Sequence, residues 1–250
     1  MIATADTYNA SQDMTSVEGD TTEEIAKLLT NVLSDHSQNV WDILSSATAA
    51  QVDIVLDNAG FELFTDLCFA EVLIHFGLSK KVVFHCKQLP WFVSDASIAD
   101  FKWLLDQLCC HANQDLAKFG KRWKQRVTEG TWELVDHSFW TLPHEYAKMS
   151  SIAPDLYKEL SKSTLIFFKG DLNYRKLAAD RNWPYRTPFT DLLEGFSPSS
   201  VCAMRTLKAD LVGGLPPGKA GYAATCDKNW LVSGQFGVIQ VHQHARELEL

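Results

Sequence analysis

Residues 52–86, VDIVLDNAGFELFTDLCFAEVLIHFGLSKKVVFHC, decide how this chain folds. Val52 to Leu56 is short, rich in β-branched residues and reads as apolar on both faces, the pattern of a strand buried within a sheet. Asp57-Asn58-Ala59-Gly60 is a turn signal. Phe61 to Phe76 then carries apolar residues at helical spacing, Gly77 closes that run, and Lys81 to Cys86 is a second apolar strand. Strand, helix and strand in that order make a β–α–β unit, which closes with a right-handed crossover onto a parallel sheet.

The pattern continues in both directions. Downstream, Asp95 to His111 predicts a helix capped by Ser94 or Asp95. Thr131 to Val135, Thr164 to Phe168, Val201 to Met204 and Gly237 to Val241 are further strands, with helical segments between them. Upstream, Val40 to Ala50 predicts a helix. Before it, a Thr-x-Glu-Glu start at Thr21 leads into Ile25, Leu28, Leu29 and Val32 as a short amphipathic helix. Residues 1–20 read as a disordered tail, polar and without periodicity. The expectation is one α/β domain over residues 21–250, a three-layer α/β/α sandwich on a mostly parallel sheet of about five or six strands.

The chain has 250 residues, 46% of them apolar, which is enough for a full core. A net charge of −8 argues against a general nucleic-acid or membrane-surface binder, because both partners are polyanions. The start of the chain has neither the basic residues nor the apolar run of a signal peptide, and no stretch matches a membrane span. These features predict a soluble protein of the cytoplasm or nucleus. The six cysteines show no C-x-x-C spacing and read as reduced thiols.

In an open parallel sheet the ligand crevice lies beyond the carboxyl ends of the strands. Asp57-Asn58 falls there, and adjacent carboxylate and amide oxygens suit a hard cation such as Mg²⁺ or Mn²⁺. The same pair is also an ordinary turn former. Glu62 follows as either a first-turn acid or a partner behind the ligands. Asp95 supplies a second carboxylate if its loop curls over the sheet edge, and a helix cap otherwise. Lys169-Gly170-Asp171-Leu172-Asn173-Tyr174-Arg175-Lys176 turns from a strand into a helix. Backbone N–H groups at its start and the planar fork of Arg175 match phosphate oxygens, while a solvated helix start explains the same residues. Arg205-Thr206-Leu207-Lys208 reaches the same edge, where Lys208 is either a phosphate partner or a surface charge.

Several other patterns carry no chemistry. Gly213 to Lys219 matches most of a phosphate-binding P-loop, but Ala220 offers no hydroxyl and Pro216-Pro217 removes N–H donors. Cys109-Cys110-His111 lacks partners at zinc spacing, and His242 with His244 forms no metal motif. No G-x-S-x-G elbow occurs.

Taken in order, Asp57-Asn58-Ala59-Gly60-Phe61-Glu62, the Asp95 loop, Gly170 to Lys176 and Arg205 to Lys208 resemble the damage-control phosphatases. They are most similar to the eukaryotic branch also described as protein-glutamate, or acidic residue, methyltransferases. The similarity runs from about Val40 to Val241. It implies that Asp57, Asn58 and Asp95 hold a divalent metal (Mn²⁺, Co²⁺, Ni²⁺ or Mg²⁺). It implies that Asp171, Leu172, Asn173, Tyr174, Arg175 and Lys208 bind a small phosphorylated substrate such as a sugar phosphate, with Asp57, Asn58, Asp95 and Asp171 catalytic. It also links Glu62 to S-adenosylmethionine in the methyltransferase description. Relatives of this branch carry a sizeable N-terminal helical region, and here residues 1–39 precede Val40. Three functions follow as expectations: metal-dependent phosphate-ester hydrolysis first, carboxyl methylation of proteins second, and a non-catalytic binding module third.

Overall fold

The computed structural model describes residues 28–48 and 50–244. Strand β1 (Val32–Asp35) and helix α1 (Ser37–Ser46) precede the β–α–β unit of β2 (Gln51–Val55), α2 (Phe61–His75) and β3 (Lys81–Cys86). Helices α3 (Ile98–Cys109) and α4 (Gln114–Thr128) lead to β4 (Trp132–Asp136). Short helices α5 (Met149–Ile152) and α6 (Pro154–Leu160) lead to β5 (Leu165–Lys169), which runs straight into α7 (Gly170–Leu177). Helix α8 (Phe189–Leu192), β6 (Ser200–Thr206), α9 (Lys219–Cys226) and β7 (Gly237–His242) follow.

One seven-stranded sheet has the order β1-β7-β6-β5-β2-β3-β4. Only β6 and β7 pair antiparallel among these strands; every other neighbouring pair is parallel. Period-2 alternation sorts each strand between two cores. Leu165 and Phe167 of β5 join Val52, Ile54, Phe84 and Trp132 beneath α2 and α3. Ile166 and Phe168 join Val55, Tyr146, Tyr174 and Leu192 on the other face. The three-layer α/β arrangement read from residues 52–86 is therefore the observed one.

Four details differ from the pattern reading. Val32 opens an edge strand rather than ending a helix, so the sheet gains a seventh member; the helix expected from Thr21 falls largely outside the described residues, as does the tail at 1–20. Helix α1 starts three residues earlier than expected and ends at Ser46. Helix α3 begins at Ile98, capped by Ser97 in a reciprocal box with Asp100, because the Asp95 carboxylate is spent on its own loop. Finally, β2 is not apolar on both faces. Asp53 is buried in it, bonded to His85 Nε2 at 2.8 Å and receiving Ser163 Oγ–H at 2.5 Å, so both carboxyl oxygens find partners.

Among the described residues no helix is long and apolar enough to cross a membrane. All six cysteines are free thiols, in agreement with their irregular spacing.

Candidate active site

The order β6-β5-β2-β3 sets four carboxyl ends side by side, and each delivers one segment of the site. Beyond β2, Asn58 forms an antiparallel bridge with Asp95, which the loop after β3 carries back across the sheet edge. Ala96 N–H donates to Asp57 O at 2.8 Å and Ala59 N–H to Ser94 O at 2.7 Å, so the two acidic segments are zipped through their backbones. The loop therefore curls over the edge as required to bring Asp57, Asn58 and Asp95 together.

Each of these side chains is held from behind. Asn58 Nδ2 donates to Asp57 Oδ2 at 3.1 Å and to Glu62 Oε2 at 2.9 Å, while Asn58 Oδ1 accepts from Ser94 Oγ at 2.6 Å. Asp95 Oδ2 accepts from Trp91 N–H and Phe92 N–H, at 2.8 and 3.0 Å. Its other oxygen, Oδ1, is buried with no hydrogen-bond partner. Gly170 packs directly against Asp57: a Cβ there would lie 1.7 Å from Asp57 Oδ2, and its φ of +81° favours glycine independently.

The electrostatics point the same way. Burial, then Glu62 and Asp95, raise the Asp57 carboxyl to about 7, against the partial offset of Lys87 and Lys169. A buried acid that resists ionisation, beside a carboxylate oxygen with no partner, fits a site completed by a cation. Among the described residues no three His, Cys, Asp or Glu side chains cluster as a metal set; the candidate ligands are two carboxylates and one amide, with Glu62 committed elsewhere. Lys169 Nζ donates to Glu62 Oε1 at 3.1 Å and to Asp66 Oδ1 at 2.9 Å, both fully buried.

The phosphate-binding expectations divide by the faces of α7. Asp171 and Arg175, four residues apart, share the outer face. Asp171 Oδ1 accepts from Arg205 Nε at 2.7 Å and from Lys208 N–H at 3.2 Å, which ties the ends of β5 and β6 together. Arg205 itself is buried, stacked 4.4 Å over the Tyr174 ring and bonded to Leu211 O and Ala209 O. Arg175 is paired in a fork with Asp180, at 2.7 and 2.8 Å. With Leu172, Lys176, Trp91 and Phe92, it lines a cleft of about 240 Å³. Asp57, Asn58 and Asp95 do not line that cleft; the Trp91–Asp95 loop connects it to them.

Three of the expected substrate contacts are buried and bonded within the protein in this structure. Asn173 is fully buried, its Nδ2 donating to Val55 O, Leu56 O and Lys169 O and its Oδ1 accepting from Tyr146 Oη–H at 2.6 Å. It braces the end of β2 just ahead of Asp57. Tyr174 is core, with its hydroxyl on Gln240 Oε1 at 2.9 Å. Glu62 lies between Asn58 and Lys169 and has no exposed surface, so it acts as a support behind Asn58. The inward face of α7 chose differently from the motif. The pattern reading quoted Lys169 and Lys176 only as the ends of a segment and gave no role to them, to Lys87 or to the Trp91-Phe92 pair. A lysine closing an apolar strand, as in Phe84-His85-Cys86-Lys87 and Phe167-Phe168-Lys169, was the available signal, since such a position demands a buried partner.

Comparison with known proteins agrees with these motifs. Residues 6–223 match the model of the damage-control phosphatase ARMT1-like domain. The chain is 46% identical over 224 residues to damage-control phosphatase ARMT1 of Danio rerio, covering 86% of this chain and 50% of that one. It is 45% identical to the Bos taurus protein of the same name and 44% identical to the Homo sapiens one, each covering 84% of this chain and 49% of the relative. The chain thus spans about half the length of these relatives. A DUF89 family protein of Pyrococcus horikoshii superposes with a TM-score of 0.46 at 15% identity, over 86% of this chain and 63% of its own. On the family match and these identities, the chain belongs to the damage-control phosphatase ARMT1-like family.

Proposed function

We propose that this chain carries the active site of a divalent-metal-dependent phosphatase for small phosphorylated metabolites, sugar phosphates among them. The observation that carries the reading is the Asn58–Asp95 bridge, which joins Asp57, Asn58 and Asp95 and leaves one buried Asp95 oxygen without a partner. The name borne by the relatives supplies the reaction class. Asp57, Asn58 and Asp95 would hold the cation, of which Mg²⁺, Mn²⁺, Co²⁺ and Ni²⁺ all match this oxygen set. Bound there, it would supply Lewis acidity toward a phosphoryl oxygen.

The chain's own residues do the rest. Asp171, fixed by Arg205 at the mouth of the site, orients the attacking nucleophile. Arg175 and Lys208 offset charge on the transferring phosphoryl group. Glu62, Lys169 and Asn173 keep the Asp57–Asn58 segment from moving. The direct test is hydrolysis of an aryl phosphate by metal-stripped protein, with Mn²⁺, Co²⁺, Ni²⁺ or Mg²⁺ restored singly. Turnover that returns with metal and vanishes in Asp57→Ala is the expected result. A folded chain inactive with every metal would overturn it.

A further inference from the structure

Lys176 lies in the last turn of α7 on the buried side, four residues after Leu172, yet among the described residues its ammonium forms no ion pair with a carboxylate. Its Nζ donates to Phe139 O, Trp140 O and Leu142 O at 3.2, 3.1 and 2.9 Å. The same nitrogen sits over three aromatic rings, 5.0 Å from Tyr146, 5.3 Å from Phe139 and 5.5 Å from Trp91. An ammonium has three donors and all three are committed to main-chain carbonyls, so Lys176 has none left for a phosphate oxygen. A flat guanidinium would not serve three acceptors converging on one point.

The partners of Lys176 belong to two segments far apart in sequence. The three carbonyls come from the turn after β4, residues 139–142. The Trp91 ring comes from the loop after β3, whose N–H groups at Trp91 and Phe92 hold Asp95 Oδ2. Trp91 and Phe92 line the cleft together with Pro143, His144 and Glu145, the residues that directly follow the 139–142 turn. Burial, then the like charge of Lys87, pull the Lys176 ammonium down to about 7.

We propose that Lys176 is a positioning residue whose ammonium clamps the Trp91 loop to the 139–142 turn and thereby fixes the wall that orients Asp95. Its effect on turnover rests on the phosphatase reading above; the clamp itself does not.

The test uses the full chain grown with 5-fluorotryptophan. Of its eight tryptophans, Trp91 is assigned in the fluorine spectrum by its loss in Trp91→Phe. In Lys176→Met the Trp91 line is expected to move toward the free amino acid and its solvent isotope shift to grow, while the Trp123 and Trp132 lines of the other core stay in place. An unmoved Trp91 line overturns the clamp. If Lys176→Met does not fold, the reciprocal variant Trp91→Ala decides. Trp91 is 41% exposed, so its loss spares the core, and Lys176 should then be acetylated several-fold faster by acetic anhydride. An unchanged acetylation rate overturns the proposal. Inactivity of the wild-type chain would overturn the phosphatase reading and leave the spectral result standing.

Discussion

At the scale of single residues, Asp57 governs how the proposed metal site responds to pH. Its carboxyl is raised to about 7, so the folded metal-free chain holds a proton there that the unfolded chain has released above about 4. Asp57 therefore lowers the stability of the metal-free protein progressively as pH rises from about 4 to 7. Thermal melts should show Asp57→Asn more stable than wild type at pH 8 without metal, and without the rise in Tm that wild type gains from Mn²⁺. A saturating metal at a hundredfold its Kd stabilises by about 2.7 kcal/mol, which makes the difference easy to read. An Asn variant that kept the full metal response would exclude Asp57 as a ligand. Gly170 is the second such residue. Gly170→Ala drives a methyl into Asp57 Oδ2 from a strained φ, and a loss of about 1–3 kcal/mol with impaired metal binding is expected in denaturant titrations.

At the scale of elements, two neighbouring acids separate a folding role from a site role. Ser97 and Asp100 start α3, while Asp95 closes the loop ahead of it. Ser97→Ala should cost about 1 kcal/mol of stability and leave metal affinity unchanged, because only a helix cap is lost. Asp95→Ala should abolish metal binding by calorimetry and loosen residues 91–95 in amide exchange. Equal effects of the two variants on metal affinity would mean that Asp95 acts only through the helix. Arg205 joins β6 to α7 through Asp171. Arg205→Met leaves Leu211 O and Ala209 O without that donor and Asp171 with only Lys208 N–H, so a loss of about 2–3 kcal/mol is predicted by urea unfolding.

Across the whole molecule, what the sequence disclosed follows the strength of its periodic signals. Val52 to Cys86 was legible because two largely apolar strands flank a helix of fifteen residues. The meeting of Asp57 with Asp95 was legible as far as chain order permits, since both follow strands that prove adjacent. Strand β1 escaped because four residues are too few for a period of two to stand out beside a helical pattern. The inward turn of Asn173 and Tyr174 escaped because a motif fixes spacing along α7, not the rotation of α7 against the sheet. Asp53 escaped for a related reason: its acceptability in β2 depends on His85 and Ser163, which lie 32 and 110 residues away.

The antiparallel pairing of β6 with β7 reverses the heading of everything beyond it. Because β1 is parallel to β7, β1 also runs against β6, β5, β2 and β3. Asn31 consequently enters the sheet from the rim that carries Asp57 and Asp95, where Asn31 O meets Gly237 N–H and Gly237 pairs with Thr206. After His242 the chain leaves from the opposite rim, near Ser197 and Ser200. A probe placed at Asn31 therefore sits at the rim that carries Asp57, whereas one placed at His244 sits at the far rim.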